Sequence, residues 1–383
     1  MSQLTLKLPK LQPEWVLQAM SEVYDWGLQD LHIPDIHKET LGEDVSIAVI
    51  DSGKSEHFEI EKNTFGAQNF SKSDEVEDRN GHSTFVSGII AAEKNYEGII
   101  GVAPKSKIYF VKAIDDSGNG SPTALAQSIL WSTKKKIDII SISAGMFIDF
   151  KPLKQAVQKA YKNNIIIIAA TGNTGSRHYD VAFPARYPEV IGVAAYDQKH
   201  NAAPFSSRGV NVSFAMPGVD VYSTWLDNQF CKNNGTSFAA PMLSGICALI
   251  LSKHKKLGNA SKTPCKTPKQ MLEHLNKYAI KIGDDPTATG FGTIDMRSMF
   301  ADDESGEADE FDYELPEFKP AVKIAKPRKK PKPKRKRIHR KRRSPPKLKR
   351  RKLRSISRIK FQKRRRIRSS RQAEWRARRG RNI

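Results

Sequence analysis

Three short motifs place residues of the kinds used in acyl transfer beside apolar segments. VIDSG ends an apolar run with Asp51, and NGHST begins a helical pattern with His82. NGTS puts Ser237 at the start of a long apolar segment. A serine hydroxyl is a poor nucleophile at neutral pH and needs a base within hydrogen-bond reach. Each motif taken singly is also typical of a turn or a helix cap, so the surrounding elements must decide.

The segments around these motifs alternate between two patterns. Short apolar runs rich in branched side chains predict strands covered on both faces, at 45–50, 108–113, 137–142, 165–170 and 190–195. Amphipathic patterns predict helices over 121–133 and 151–163, and a nearly all-apolar pattern predicts a buried helix over 237–254. The alternation predicts an α/β fold with a doubly wound, mostly parallel sheet and helices on both faces. In such a sheet, ligands bind beyond the carboxyl ends of the strands.

Charge is spread very unevenly along the 383 residues, which carry a net charge of +24. Residues 319–383 contain 33 Lys or Arg and one acid, whereas 301–317 contain nine acids and no base. The remainder is close to neutral, which excludes a uniformly basic globule. We therefore predict an N-terminal extension at 1–22, a folded domain at 23–300, an acidic linker at 301–318 and a disordered basic tail at 319–383.

The few cysteines and the lack of long apolar runs indicate in which cellular compartment the protein is found. Three cysteines without CxxC spacing, Cys231, Cys247 and Cys265, exclude a disulfide framework and disfavour a zinc ribbon. The first 15 residues hold no apolar run of signal-peptide length, and no run approaches 18 apolar residues. We expect an intracellular protein with no secretory signal peptide or transmembrane segment, in the cytoplasm or at the nucleoid. A virion, the nucleus and a non-classical export route remain alternatives.

Together and in the order Asp, His, Ser, the three motifs resemble those of the subtilase (subtilisin-like serine protease) family. The resemblance runs from about residue 44 to 298. It includes GVAP at 101–104, SISAG at 141–145, AATGN at 169–173, PFSSRG at 204–209 and MPG at 216–218. Too few residues precede the first strand for a long prodomain, so the layout is closest to intracellular subtilisins with an added basic tail. Residues 23–300 would then be the subtilisin-like peptidase domain.

The resemblance implies a serine endopeptidase with an Asp51–His82–Ser237 triad. His82 would take the proton of Ser237 and pass it to the leaving amine, while Asp51 holds the imidazole. The oxyanion would be bound by the Asn173 side-chain amide and the Ser237 backbone N–H. A few positions depart from the family pattern without removing a catalytic group, which leaves the reaction class intact: Ser83, Phe85, Phe238 and Met242.

The same resemblance predicts where an extended polypeptide substrate binds. A peptide that adds as a strand to an exposed edge gains affinity from main-chain hydrogen bonds, with modest sequence selectivity. The two edges are Gly118, Asn119 and Gly120 on one side and Ser143, Ala144 and Gly145 on the other. The pocket for the residue before the scissile bond (P1) would be apolar, near Ala170, Gly172 and Ala182. By itself, Gly118–Gly120 is equally typical of a plain turn.

A structural calcium ion is also implied by the resemblance, in the loop that follows the His82 helix. Hard oxygen ligands suit Ca²⁺. The candidate ligands are Glu59, Glu93, Asn95, Glu97 and Ile99. Glu59 stands where an aspartate is usual, and an ordinary solvated loop is the alternative. No cofactor is required for the chemistry itself.

Both ends of the chain carry a functional hypothesis. The N-terminal LTLKLP at 4–9 is apolar and ends in proline, so we expect it to block the substrate cleft until it is trimmed; a frayed terminus is the alternative. The dense charge of 319–383 predicts binding to a polyanion, above all nucleic acid without sequence specificity. The alternatives are an anionic membrane, a cell-wall polymer, an acidic protein partner, nuclear targeting or a removable segment.

A non-enzymatic function is the competing interpretation of the whole chain. In it, a degenerate protease scaffold merely presents a tail that binds or packages nucleic acid. The intact set of Asp51, His82, Asn173 and Ser237 argues against it, because the fold alone does not demand those four residue types.

Overall fold

The computed structural model describes residues 6–9, 13–16, 21–177, 180–258 and 265–301. The predictions for the acidic linker beyond Ala301 and for the basic tail lie outside the described residues. The described strands are β1 (Leu6–Lys7), β2 (Glu14–Val16), β3 (Ser46–Asp51), β4 (Thr64–Asn69), β5 (Lys107–Lys112), β6 (Asn119–Gly120), β7 (Ile139–Ile142), β8 (Ile166–Ala170), β9 (Ile191–Tyr196), β10 (Phe214–Pro217), β11 (Val221–Trp225), β12 (Gln229–Asn233), β13 (Ala279–Ile280) and β14 (Thr293–Ile294).

The described helices complete the inventory of regular elements. They are α1 (Trp26–Asp30), α2 (Ile33–Ile36), α3 (Phe58–Glu61), α4 (His82–Ala91), α5 (Pro122–Lys134), α6 (Lys151–Lys162), α7 (Thr236–Leu257), α8 (Pro268–Lys277), α9 (Pro286–Thr289) and α10 (Met296–Ala301). Two short 3₁₀ turns lie at Gly175–Arg177 and Leu226–Asn228.

A seven-stranded sheet forms the centre of the domain. Its order is β10-β9-β8-β7-β3-β5-β4, and every neighbouring pair is parallel. The five predicted strands correspond to β3, β5, β7, β8 and β9, and their bounds agree within two residues. The three predicted helices are α5, α6 and α7. The doubly wound α/β prediction is therefore confirmed.

Each face of this sheet supports its own core. Because successive side chains of a strand point to opposite faces, Val49 and Ile139 pack with α4 and α7, whereas Ile50 and Ile140 pack with α5 and α6. α7 is buried along nearly its whole length. By length and composition it could cross a membrane, but its apolar window is fully buried in the protein, so it is a core helix here.

Smaller sheets attach the N-terminal residues to this frame. β12 pairs antiparallel with both β11 and β2, and β1 pairs antiparallel with β6. The described parts of the predicted extension, residues 6–9 and 13–16, thus contribute strands to the domain. β6 lies in the segment that was predicted to bind substrate, so the position of β1 bears directly on the site.

Candidate active site

The strand ends bring the predicted site residues to one edge of the sheet. Asp51 is the last residue of β3, Ser143 directly follows β7, and Asn173 follows β8. β3 and β7 are neighbours although β4, β5 and β6 lie between them in the chain, so the connections diverge to opposite sides at this point. A doubly wound sheet leaves a crevice there, beyond the carboxyl ends of the strands.

Asp51 and His82 form a buried pair. The Nδ1 of His82 lies 2.8 and 2.9 Å from the two carboxylate oxygens of Asp51, and both side chains are fully buried. The carboxylate also accepts the backbone N–H of Ser52 at 2.7 Å. An imidazole that donates from Nδ1 has Nε2 free to accept a proton. That Nε2 is buried and has no hydrogen-bond partner among the described residues.

A second carboxylate, Asp78, fixes the start of the helix that carries His82. α4 has glycine at its N-cap and no side-chain cap of its own. One oxygen of Asp78 accepts the backbone N–H of Gly81 at 3.0 Å, and the other accepts the N–H and the hydroxyl of Thr84 at 2.8 Å each. The Ser52 hydroxyl donates to Asp78 as well, at 2.9 Å. Asp78 thus joins the His82 helix to the strand end that carries Asp51. Sequence reasoning missed it, because the acid lies before the motif.

Ser237 occupies the second position of α7, where the helix dipole favours developing negative charge. Its hydroxyl donates to the Ser143 carbonyl at 3.1 Å, and the Ser143 hydroxyl donates to the Ser237 carbonyl at 2.8 Å. The next side chain, Phe238, has its ring centroid 5.9 Å from that of His82. The residue after the serine thus packs near the histidine, whereas the serine hydroxyl is turned toward the residue that follows β7. Proton transfer to His82 would require the serine side chain to rotate.

The Asn173 side chain is held by the residue before the serine. Its Oδ1 accepts the backbone N–H of Thr236 at 3.1 Å and the Thr236 hydroxyl at 2.8 Å. Because the carbonyl end is tied down, the amide NH₂ is left to face Gly235, where an added Cβ would lie 3.5 Å from Nδ2. Thr236 was not predicted as a site residue. Its part in orienting the Asn173 amide is visible only in the structure, where the Thr236 hydroxyl donates to Asn173 Oδ1.

The predicted substrate edges lie on either side of this centre. Asn119 and Gly120 form β6, and Gly118, with φ of 77°, makes the turn before it. Ser143 and Ala144 are buried and lead to Gly145, where an added Cβ would lie 2.7 Å from Ala182 Cβ. The 143–145 segment follows β7 at the carboxyl end of the sheet, whereas β6 is already paired with β1.

Small side chains and one phenyl ring surround the predicted P1 pocket. A Cβ added at Gly172 would lie 3.5 Å from Ala182 Cβ and 3.7 Å from the Cζ of Phe147. Phe147 is 45% exposed and was not predicted. Ala170 is buried in the core shared with α4 and α7, so it supports the wall from behind. The atom nearest to the Cβ added at Gly172 is the hydroxyl oxygen of Ser207 at 3.0 Å, so the surroundings are apolar apart from this hydroxyl.

The N-terminal residues lie along the first of these edges. Leu6 pairs with Gly120 and Lys7 with Asn119, and the Leu8 N–H donates to the Gly118 carbonyl at 2.9 Å. Leu6 is 0% and Leu8 5% exposed, whereas Lys7 points outward. A stretch of this chain therefore occupies the backbone positions expected for a substrate strand.

The contacts of the predicted calcium ligands do not fit a cation. The Glu59 carboxylate accepts the Asn95 side-chain amide at 3.0 Å and the Ile99 N–H at 3.2 Å. Glu93 is paired with Lys62 at 2.7 Å, and Glu97 is exposed. Donors thus face Glu59 where a metal would need acceptors, and burial raises the pKa of its carboxyl to about 7.

No group of three or more His, Cys, Asp or Glu side chains that could hold a metal occurs within the described residues. Hydrogen bonds from Asn95 and Ile99 to the Glu59 carboxylate hold the 93–99 loop.

Comparison with known proteins places this arrangement in a family. The profile of the subtilase family matches residues 42–293. Subtilisin DY of Bacillus licheniformis is 38% identical over 245 residues, which cover 63% of this chain and 86% of that protein. The intracellular serine protease of Paenibacillus polymyxa is 34% identical over 282 residues, 71% of this chain and 85% of that protein.

The minor extracellular protease Epr of Bacillus subtilis (strain 168) is 34% identical over 307 residues, 79% of this chain. The match spans only 46% of the length of Epr. The family profile alone covers well over half of the present chain. The chain therefore belongs to the subtilase family of subtilisin-like serine endopeptidases.

Proposed function

We propose that this subtilase cleaves extended polypeptides with Asp51, His82 and Ser237 as its triad. The observation that carries the proposal is the buried Asp51–His82 pair, whose outer nitrogen, Nε2, has no partner among the described residues. An unpaired buried ring nitrogen costs free energy, so its presence calls for an explanation. Action as the base for the serine at the N-terminus of α7 provides one.

The chemistry follows from these positions. The Ser237 hydroxyl turns from the Ser143 carbonyl to His82, gives its proton to Nε2 and attacks the scissile carbonyl carbon. Asp51 keeps the other nitrogen protonated and stabilises the imidazolium that forms. His82 then donates the proton to the leaving amine, and water repeats the sequence to release the acyl group.

Two donors stabilise the oxyanion of each tetrahedral intermediate. They are the Asn173 amide, oriented through Thr236, and the backbone N–H of Ser237. Losing one side-chain donor of this kind costs about 10²–10³ in turnover, or about 3–4 kcal/mol. Asn173 is therefore the side chain that we expect to contribute most to stabilising the oxyanion.

Labelling with a fluorophosphonate probe tests the nucleophile. We expect the parent protein to be labelled and Ser237→Ala to remain unlabelled. Ser143→Ala is the matched control, because it removes the neighbouring hydroxyl and keeps the Ser143 carbonyl. Equal labelling of the parent and Ser237→Ala would reject the triad. If the parent remains unlabelled even after residues 1–12 are deleted, the non-catalytic alternative is favoured.

We further propose that the N-terminal segment restrains the enzyme. The segment hydrogen-bonds the edge that substrates need, and two of its leucines are buried there. Burying a leucine contributes about 1.5–3 kcal/mol. The gross contribution of Leu6 and Leu8 is thus about 3–6 kcal/mol before the cost of ordering the segment, enough to compete with a peptide substrate.

Initial rates on a short chromogenic peptide test this restraint. Deleting residues 1–12 and the double change Leu6→Asp, Leu8→Asp should both raise the initial rate. Lys7→Asp is the control, because Lys7 points outward and its loss leaves both leucines in place. An unchanged rate in the deletion variant would reject the restraint.

The basic tail at 319–383 supports a second activity, non-specific binding of nucleic acid. Each phosphate neutralised by Lys or Arg releases counterions, so the logarithm of the affinity should fall by about 0.7–0.9 per contact for each tenfold rise in salt. Tethering would raise the local concentration of substrates on the same polymer. We propose proteins bound to nucleic acid as substrates, and an intracellular site of action in keeping with the relative from Paenibacillus polymyxa.

Retention on nucleic-acid beads across a salt series tests the tail. The parent should elute steeply with salt, and a chain truncated after residue 318 should elute earlier. Beads that carry a neutral polymer are the control. If both chains elute at the same salt concentration, the tail does not bind nucleic acid. Removing 301–317 should tighten binding if the acidic linker competes for the tail.

A further inference from the structure

Two neighbouring outer helices of the domain carry lysines and contain no acids. Helices α5 and α6 pack side by side over one core, and neither contains Asp or Glu. Seven lysines lie on these helices or just after α5, and all are exposed: Lys134, Lys135, Lys136, Lys151, Lys154, Lys159 and Lys162. This charge is separate from the tail and belongs to the folded domain.

A groove of about 590 Å³ opens between the C-terminal parts of the two helices. We call it the basic groove and define it by Lys134, Lys136, Lys159, Leu130 and Trp131. Leu130 is 38% exposed and Trp131 is half-buried. Within the described part of the chain, none of its three lysines forms an ion pair with a carboxylate. The groove therefore combines free positive charge with an apolar floor.

Neighbouring charges do not cancel this field. The sequence from Pro122 to Lys162 contains two acids, Asp138 and Asp149. Asp138 accepts the N–H and the hydroxyl of Ser46 and pairs with Lys255, and Asp149 accepts the Tyr187 hydroxyl at 2.7 Å. Two helix C-termini add about −1 in total. Glu189, which accepts a hydrogen bond from Gln158 on α6 at 3.1 Å, subtracts one more charge. The three groove lysines, with Lys135 and Lys162 nearby, still leave a positive surplus of about +3.

Capping of helix ends is the plain alternative for these lysines. A cation in the last turn stabilises a helix by about 0.3–1 kcal/mol, and one per helix suffices. That alternative accounts neither for the absence of acids from both helices nor for an exposed leucine and a half-buried tryptophan between the charges. A ligand with repeated negative charge and flat apolar parts accounts for both.

We propose that the basic groove binds single-stranded nucleic acid, with its lysines on phosphates and a base against Trp131. Base stacking on an aromatic ring is worth about 1–3 kcal/mol and tolerates any sequence. The proposal extends the nucleic-acid binding proposed for the tail, but it rests on different residues.

The acidic linker of this chain is the other candidate occupant. The described chain ends at Ala301 in α10, whose Met299 and Phe300 pack in the core shared with α4 and α7. That core lies on the sheet face opposite α5 and α6. An acidic peptide could meet the lysines, but it offers no nucleobase to stack against Trp131.

The lysines of the groove lie toward the end of the sheet opposite the triad, although Phe70, which follows β4 at the carboxyl end, also lines the groove. Lys134 and Lys136 come just before β7, and Lys159 comes just before β8, whereas Ser143 and Asn173 follow those strands. Strands of four to five residues separate the two ends by about 13–17 Å. Nucleic acid in the groove would leave the substrate cleft open.

Two matched triple variants of the full chain test the groove, both in the Ser237→Ala background to prevent self-cleavage. One replaces Lys134, Lys136 and Lys159 by Gln, and the other replaces the exposed Lys94, Lys199 and Lys281 by Gln. Both lose the same charge, and thermal melting checks that both fold. Binding of a fluorescent oligothymidylate across a salt series should show a slope smaller by about 2 for the groove variant. Equal slopes for the two variants would overturn the proposal.

Lysine acylation followed by mass spectrometry separates the groove from the tail. With the oligothymidylate bound, we expect protection of Lys134, Lys136 and Lys159 but not of Lys199 and Lys281. Protection limited to residues after 318 would overturn the proposal for the groove and support the one for the tail. Protection limited to the groove lysines would support the proposal for the groove and overturn the one for the tail. No protection in either region would overturn both.

Discussion

Removing the hydroxyl of Thr236 is the sharpest test of how the oxyanion donor is oriented. Thr236→Val keeps the side-chain volume but deletes the 2.8 Å hydrogen bond to Asn173 Oδ1 and leaves the 3.1 Å bond from the Thr236 N–H. A neutral hydrogen bond contributes about 0.5–1.5 kcal/mol. The Gly172 N–H also loses its acceptor, the same hydroxyl at 3.2 Å, which should lower stability rather than turnover. We expect turnover to fall about 2- to 12-fold.

A double-mutant cycle distinguishes positioning from general damage. On a short chromogenic peptide, kcat should fall in Thr236→Val while KM stays near the parent value, because the amide acts on the transition state. Thr236→Ser keeps the hydroxyl and should restore kcat. In an Asn173→Ala background, already slower by about 10²–10³, Thr236→Val should cost nothing more. Fully additive losses in the double variant would refute the orienting role.

Three further predictions concern stability. Asp78→Asn leaves one carbonyl oxygen for five donors and should lower the free energy of unfolding by about 1–3 kcal/mol in a urea titration; an unchanged midpoint would contradict the helix-start role. Burial lowers the pKa of His37 to about 4, although its hydrogen bond with the Val102 carbonyl opposes the shift. As the pH falls, the His37 imidazole binds a proton near pH 6.5 in the unfolded chain but only near pH 4 in the folded chain. About 3 kcal/mol of stability that is present above pH 6.5 should therefore be lost as the pH falls to 4. His37→Gln should flatten that part of the curve of stability against pH, and an unchanged curve would contradict the prediction. Chelation with EDTA should leave the melting temperature unchanged, whereas Glu59→Ala should lower it; a drop of several degrees in EDTA would mean that the loop holds a cation.

The sequence predicts the sheet and the order of the site residues because both depend on local patterns. Runs of branched residues, such as Ile139–Ile142, can only be buried on both faces, and motifs at their ends then meet at one edge. The edge strands Thr64–Asn69 and Phe214–Pro217 were not predicted, since the first is mixed in polarity and the second is short and ends in proline.

The remaining features depend on directions that a sequence does not encode. Asp78 and Thr236 matter because of where their oxygens point, and that is set by distant partners. The same holds for Glu59, where a longer arm than aspartate lets the carboxylate reach the loop amides itself. The Ser237 hydroxyl donates to Ser143 although the motif predicts His82. Hydrogen-bond competition within the site decides each of these cases.

The parallel sheet separates the two proposed activities by its geometry. Every strand of the central sheet runs in the same direction, so all carboxyl ends form one rim and all amino ends the other. The proposed triad lies at the first rim, and the lysines of the basic groove lie toward the second, where α5 and α6 end. An enzyme held on nucleic acid by that rim keeps its cleft free for proteins on the same polymer. Binding there should consequently change which proteins are cleaved, through proximity, and leave the hydrolysis of a free short peptide unchanged.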